Sequence, residues 1–170
     1  LLRQYEFAKK DGKLRRKMER HLLFLERCLD AIKLGGRMAI VLPQGVLNNT
    51  NLEWVRQWLL GKARILAVVG LHGNTFKPHT GTKTSVLFLQ KWNDDPKLGP
   101  LCAYQEDYPI FMAVSKKPGK DNSGEYVYKK DEKGNFILDE KGRKILDHDL
   151  DEIAEAFIKF AKEQGFSFWM

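Results

Sequence analysis

Three short apolar runs, Arg37–Leu42, Arg64–Leu71 and Ser85–Lys91, are separated by an amphipathic stretch and then by a polar loop. Each run is β-rich, and the first is bounded by Gly35-Gly36 and Pro43, so each predicts a buried strand. The runs are nearly continuous rather than alternating. That habit belongs to strands covered on both faces, as in parallel or mixed sheets of α/β proteins. Between the first two runs, Leu52, Val55, Trp58 and Leu59 define the buried stripe of a helix that ends near Gly61. A strand–helix–strand order needs a crossover, almost always right-handed, so the first two strands are expected to be parallel. The third follows a loop of about a dozen residues without helical pattern, and is expected to turn back antiparallel.

Upstream, Leu14, Met18, Leu22, Leu25, Leu29 and Ile32 recur at helical spacing and predict one face of a long helix. Arg16, Lys17, Glu19, Arg20, Glu26, Arg27 and Asp30 fall on its opposite, solvated face. Gly35 and Gly36 stop it, one of them in a left-handed cap. His21 reads as a satisfied or exposed helix histidine, and Cys28 as a packing residue. Leu1–Gly12 is a short lead-in whose abrupt start is expected of a cut through a longer protein.

Downstream of Trp92 the composition shifts. Asn93–Pro100 reads as a linker, and Leu101–Tyr104 as a candidate short strand. Ile110–Val114 and Glu125–Lys129 read as strands, and Phe136–Leu138 is expected to pair with Tyr126–Tyr128 across Asp131-Glu132-Lys133-Gly134. Tyr104–Asp147 is thus expected to form a small β-appendage outside the main sheet. Leu150, Ile153, Phe157 and Phe160 or Ala161 predict a C-terminal helix capped by Asp147 or Asp149, with Asp151 and Glu152 near its positive end. Phe166, Phe168 and Trp169 are expected to dock on this domain or a neighbour. No internal repeat stands out. The resulting division is residues 1–92 as an α/β domain, 93–148 as linker and appendage, and 149–170 as helix and apolar tail.

Composition narrows the function classes. The chain has 170 residues, 43% of them hydrophobic, enough for one real core. It contains no apolar run of the ~18 residues a membrane span needs, and no signal-peptide pattern. Cys28 and Cys102 lie far apart, which argues against a zinc site or disulfide framework and for a cytoplasmic home. His72 and His79 lack metal-ligand company. The net charge of +7 suits a polyanion such as nucleic acid, and equally suits solvated faces.

Two stretches carry candidate chemistry. In open α/β sheets the ligand cleft lies beyond the carboxyl ends of the parallel strands. Pro43, Gln44, Asn48 and Asn49, just after the first strand, are therefore cleft candidates. The plainer reading is a loop ending in a helix cap by Thr50 or Asn51, with Glu53 in the first turn. His72–Thr84 places Phe76 among Lys77, Lys83 and the hydroxyls of Thr80, Thr82 and Thr84. An aromatic amid cations and hydroxyls suits stacking a base while holding phosphates. It also suits a long turn anchored by Phe76.

The succession FLERCLDAIKLGGRMAIVLPQGVLNN, VRQWLL, RILAVVGL and TFKPHTGTKTSVLFLQK resembles the N6-adenine DNA methylases of restriction–modification systems, in particular the modification subunit of type I systems. The likeness is strong over Glu19–Lys91. It continues more loosely through YPIFMAVSKKPGKDNSGEY and DLDEIAEAFIKF.

The resemblance implies a partial Rossmann-like methyltransferase sheet: two parallel strands, the family's fifth and sixth, with the antiparallel seventh inserted between them, flanked by helices. A small β-appendage and a C-terminal helix would follow. It also implies S-adenosylmethionine as cofactor and DNA as substrate. The family's Gly-rich cofactor turn and its Asn-Pro-Pro-aromatic motif do not occur in this sequence, so the resemblance implies the C-terminal part of a catalytic domain, inactive alone, with no catalytic residue to name. The implied partners are the missing N-terminal half and the specificity and restriction subunits. By position, Thr75, Phe76, Lys77 and Thr80–Thr84 would line the pocket for a flipped base, with Lys77 and Lys83 contacting phosphates. The alternatives are a non-enzymatic nucleic-acid-binding module, or a structural piece that meets a specificity subunit.

Overall fold

The computed structural model describes residues 2–10 and 13–166. The chain divides into two compact units, Leu1–Ala67 with Val86–Ile110, and Val68–Ser85 with Phe111–Met170.

The first unit opens with two short antiparallel strands, β1 (Lys9–Lys10) and β2 (Lys13–Leu14), followed by α1 (Arg20–Ala31). The helix is shorter than the Leu14–Ile32 periodicity predicts. Lys13 and Leu14 pair with Lys10 and Lys9, and the Arg15 N–H donates to Ala8 O at 2.7 Å, so a hairpin takes the bonds that a helix would need. Leu22, Leu25 and Leu29 form the buried stripe. Glu26, expected on the solvated face, is 1% exposed. Its carboxylate accepts the backbone N–H groups of Glu6 at 2.5 Å and Phe7 at 2.9 Å, which is what makes a buried carboxylate tolerable. Phe7 in turn is fully buried edge-on against Trp54 and Trp58, with centroids at 5.0 and 4.5 Å. Burying such a ring contributes about 2 kcal/mol, so the lead-in is part of this core.

α1 ends where Lys91 Nζ donates to the Leu29 and Ile32 carbonyls at 3.1 and 3.2 Å, satisfying groups that a helix terminus leaves open. The C-cap is Ile32 in an extended conformation, so the glycine pair does not cap the helix as expected; Gly35, further on, is left-handed at φ +69°. A Cβ on it would lie 1.7 Å from Pro100 O.

Next come β3 (Arg37–Pro43), the single turn α2 (Gly45–Asn48), α3 (Glu53–Lys62), β4 (Ala63–Gly70) and β5 (Thr84–Lys91). The strand order is β3-β5-β4-β6, where β6 is Phe111–Val114. Gly35 and Gly36, just before β3, exchange backbone bonds with Lys91 at the end of β5. Trp92 N–H donates to Lys62 O, and Leu71 N–H to Thr84 O. β5 therefore starts where β4 ends and ends where β3 and β4 start. It runs antiparallel to both, and β3 and β4 run parallel to each other. This is the predicted arrangement, with the third apolar run reversed between the first two.

β6 departs from expectation. It joins the main sheet rather than the appendage, with Ser115 N–H donating to Gly70 O at 2.8 Å. Its half-buried Phe111 packs on Phe157 and Phe160 of α4 (Leu150–Glu163), with centroids at 5.4 and 5.7 Å. A strand that buries a ring under a helix gains more than one left in a solvated hairpin. Phe166 is buried against Phe160, whereas Phe168 and Trp169 lie outside the described residues. Asp149 occupies the α4 N-cap without a side-chain cap bond. Its carboxylate accepts Ser115 Oγ–H at 2.6 Å and the N–H groups of Lys116 and Lys117. Burial pushes this carboxyl up, but those donors outweigh it and hold it below the usual range.

Residues 118–148 form a narrow ladder of isolated bridges: Pro118 with His148, Lys120 with Tyr126, Tyr128 with Leu146, Lys130 with Phe136, and Leu138 with Lys144. Phe136 pairs with Lys130, not with the Tyr126–Tyr128 stretch. The register follows from the turns. Asp121–Glu125, Asp131–Asn135 and Asp139–Arg143 each read Asp-x-x-Gly-x, a repeat the sequence reading missed. In each turn the Asp Oδ1 accepts the N–H groups two and four residues on, at 2.8–3.0 Å. The glycines take φ +99°, +84° and +74°. Asp at the first position and a left-handed glycine at the fourth specify a three-residue hairpin loop.

Candidate nucleic-acid interface

The cleft candidates lie in the first unit. Pro43 ends β3 and is half-buried, while Gln44, Asn48 and Asn49 are exposed. Asn49 has a structural role. Its side chain accepts the Asn51 N–H at 2.9 Å and so caps the turn Thr50–Leu52, the role expected of Thr50 or Asn51. Its carbonyl, with that of Val46, is held by Arg56 Nη1 at 2.9 and 3.2 Å. Glu53 stands in the first turn of α3, as expected. An open cavity of about 350 Å³ in the same unit is lined by Arg15, Met18, Leu22, Asn51, Leu52 and Trp54, and includes none of the cleft candidates.

The loop after β4 lies in the second unit and is tightly wound. His72 Nδ1 accepts the Asn74 N–H at 3.1 Å, and successive turns close at Thr75→His72, Lys77→Asn74 and Thr80→Phe76. The Lys77–Pro78 peptide is cis. Phe76 is 37% exposed, so part of its ring faces solvent. Thr80 and Thr82 bond each other through their hydroxyls at 3.0 Å, and Lys83 is exposed. Thr84 Oγ1 is buried without a hydrogen-bond partner among the described residues.

The brace that fixes this loop was not foreseen. Buried Asn74 donates through Nδ2 to Asn122 Oδ1 at 3.1 Å and to Lys120 O at 3.5 Å. Lys77 Nζ donates to Asn122 O, and Lys120 Nζ to Lys77 O, both at 2.8 Å. The first ladder turn thus clamps the loop from both directions. Lys77, expected to face phosphates, spends a bond on this clamp. The only sequence signal for it is Asp121-Asn122-Ser123-Gly124, whose turn chemistry places the Asn122 carbonyl. Among the described residues no cluster of His, Cys, Asp or Glu could hold a metal, and no helix is long and apolar enough to cross a membrane.

Residues 3–170 match the N-6 DNA methylase family. The chain belongs to that family. The methylase subunit of the type I restriction enzyme EcoEI from Escherichia coli is 30% identical over 88 residues, covering 51% of this chain and 17% of that protein. This methylase chain thus spans about a sixth of that curated relative's length. Among solved structures, a Listeria monocytogenes protein described as a candidate class I S-adenosylmethionine-dependent methyltransferase aligns with a TM-score of 0.49 at 18% identity, over 66% of this chain and 31% of that one. A chain from a type I restriction–modification assembly aligns with a TM-score of 0.40 at 26% identity, over 49% of this chain and 18% of that one.

Proposed function

We propose that this chain is the C-terminal part of the catalytic domain of an S-adenosylmethionine-dependent adenine-N6 DNA methyltransferase from a type I restriction–modification system. The observation that carries the reading is β5, reversed between two parallel strands and entered through a braced loop with an exposed aromatic tip. Phe76 would offer its face to an adenine swung out of the duplex, replacing the stacking lost on extrusion. Lys83 is the stronger phosphate contact and Lys77 the weaker, since Lys77 is held by Asn122. Within the first unit, Pro43, Gln44, Asn48 and Asn49 would line a ligand cleft of their own.

S-adenosylmethionine supplies an electrophilic methyl group. The described glycines after β3 and at the end of β4 do not fit it. Gly45, which follows β3, has nothing within 4 Å of its would-be Cβ, and Gly70 at the end of β4 meets only Val114 and Ala113 atoms at 3.6 Å or more. Neither marks a crowded backbone cradle. We assign donor binding and activation of the adenine amine to an N-terminal half of the methylase, and no catalytic residue to this chain. DNA, that half, and specificity and restriction subunits are the proposed partners, in the cytoplasm.

A labelled-methyl transfer assay tests this. The chain alone should transfer nothing, and the chain combined with the N-terminal half should yield N6-methyladenine. Incorporation by the chain alone would overturn the partial-domain assignment. An assembled enzyme that methylates cytosine, or nothing, would overturn the reaction.

A further inference from the structure

One face of the 118–148 ladder carries three lysines interleaved with three aromatic rings. Lys120 Nζ lies 5.4 Å from the Tyr126 centroid, Lys130 Nζ 5.2 Å from Phe136, and Lys144 Nζ 5.5 Å from Tyr128 and 4.0 Å from Phe136. The rings are themselves in series, Tyr126 to Tyr128 at 6.5 Å and Tyr128 to Phe136 at 6.0 Å. The six side chains form one connected strip. Tyr126 is 60% exposed and Phe136 42%.

The charge on this strip is of one sign. Lys120, Lys130 and Lys144 form no ion pair with a described residue, whereas Lys117 and Arg143 nearby are paired with Asp147 and Asp139. Asp121, Asp131 and Asp139 lie at the hairpin tips, where they accept backbone N–H groups, and Asp147 is paired with Lys117. An ammonium over a ring face is oriented by the ring quadrupole and stays hydrated on its outer side. Such a strip is complementary to a polyanion. It is also continuous with the candidate base loop, because Lys120 Nζ bonds Lys77 O.

We propose that this lysine–aromatic strip binds the phosphodiester backbone of duplex DNA beside the base presented to Phe76, with exposed Lys130 and Lys144 each contacting a phosphate and Lys120, held by Lys77 O, joining the strip to the loop. The proposal deepens the methylase reading and rests on it. The strip holds the DNA in register without reading sequence, because phosphate contacts carry position and not base identity.

The test measures binding of a fluorescently labelled duplex to the full chain across a salt series. Replacing Lys130 and Lys144 together by Gln should weaken binding about 10-fold at moderate salt and flatten the log–log salt dependence by about 2, two phosphate contacts' worth. Replacing Lys133 and Lys141 by Gln removes the same charge outside the strip and should leave the slope nearly intact. The single variant Lys130→Gln, flattening the slope by about 1, serves if the double variant fails to fold. A wild-type slope in the strip variants, equal losses in the two double variants, or no salt-dependent binding by the wild type overturns the proposal. Methyl transfer by the assembled enzyme separates the two readings. Transfer without a slope change sinks the strip alone, and a slope change without transfer sinks the methylase reading alone.

Discussion

Gly124 and Pro78 touch backbone to backbone: a Cβ on Gly124 would lie 2.6 Å from Pro78 N and 2.8 Å from Lys77 C. The turn that presents Asn122 to Lys77 therefore requires glycine twice over, for its φ of +99° and for the approach of the loop. Gly142, at the third hairpin tip, shares the left-handed conformation (φ +74°) but has open space around it. Gly142→Ala should cost only the conformational term, about 1 kcal/mol. Gly124→Ala should cost that and also displace Lys77 and Phe76. We expect Gly124→Ala to lower methyl transfer by the assembled enzyme at least about tenfold while Gly142→Ala leaves it within about twofold, since a misplacement of about 1 Å at a reacting site is worth orders of magnitude. Equal rates for the two variants would show that the brace does not position the loop.

Glu26 supplies a stability test confined to the first unit. Removing its carboxylate leaves the buried N–H of Phe7 and the part-buried N–H of Glu6 without acceptors. Each unsatisfied donor costs about 1–3 kcal/mol, so Glu26→Ala should destabilise by about 2–4 kcal/mol, read from the urea midpoint. Glu26→Gln keeps one acceptor oxygen and should lose about half as much. A midpoint unchanged in Glu26→Ala would mean that the lead-in is not held through this carboxylate.

These residues also show where sequence reasoning reached and where it stopped. The strand directions were legible because short β-rich apolar runs pointed to strands, and because the β4–β5 loop is too short and polar for a crossover helix. The place of β5 between the other two came from the family resemblance, and β3, expected to be covered on both faces, buries only Leu42 and leaves Val41 48% exposed. The glycine pair was misread as the cap of α1, which ends earlier at an extended Ile32; only the left-handed conformation of Gly35 was legible. Glu26 was not, because periodicity assigns a residue to a face and cannot know that two backbone donors from the lead-in will cover it. The same blindness hid Phe7, whose partners Trp54 and Trp58 lie about fifty residues away. β6 was read into the appendage because four residues carry no signal of their neighbour. The ladder register was misjudged because strand pairing was read from apolar content, whereas the three Asp-x-x-Gly turns fix it. In the candidate loop, the Asn74–Asn122 brace was not legible because it depends on contacts nearly fifty residues apart.

The hairpin tips should respond to acid as a group. Backbone N–H groups at the second and fourth following positions hold Asp131 and Asp139 below the usual carboxylate range, aided by the side chains of Asn135 and Arg143. Asp121 is lowered first by the Ser123 hydroxyl and then by backbone N–H groups. A carboxyl depressed in the folded state adds stability that is fully present above its unfolded value, about 4, and is lost as pH falls through the folded value. The ladder should therefore loosen below about pH 4, seen as a change in the Tyr126 and Tyr128 ring resonances. Asp131→Asn keeps the accepting oxygen and should remove that tip's share of the acid transition while preserving the turn at neutral pH. An acid transition unaltered by the substitution would place its cause elsewhere.

Lys77 and Lys83 carry the same charge in the same loop and should behave differently. The Lys77 ammonium donates to Asn122 O at 2.8 Å, so Lys77→Gln loosens the brace before it touches DNA. A hydrogen bond from a charged donor contributes about 1.5–3 kcal/mol, discounted here because the bond is exposed. The second unit of Lys77→Gln should therefore lose about 1 kcal/mol, read by hydrogen exchange across residues 71–83. Lys83 is exposed. Lys83→Gln should leave exchange unchanged and reduce the salt slope of DNA binding by about 1. If the Lys77 variant loses slope without faster exchange, and the Lys83 variant loses neither, then Lys77 is the phosphate contact and Lys83 a solvated side chain.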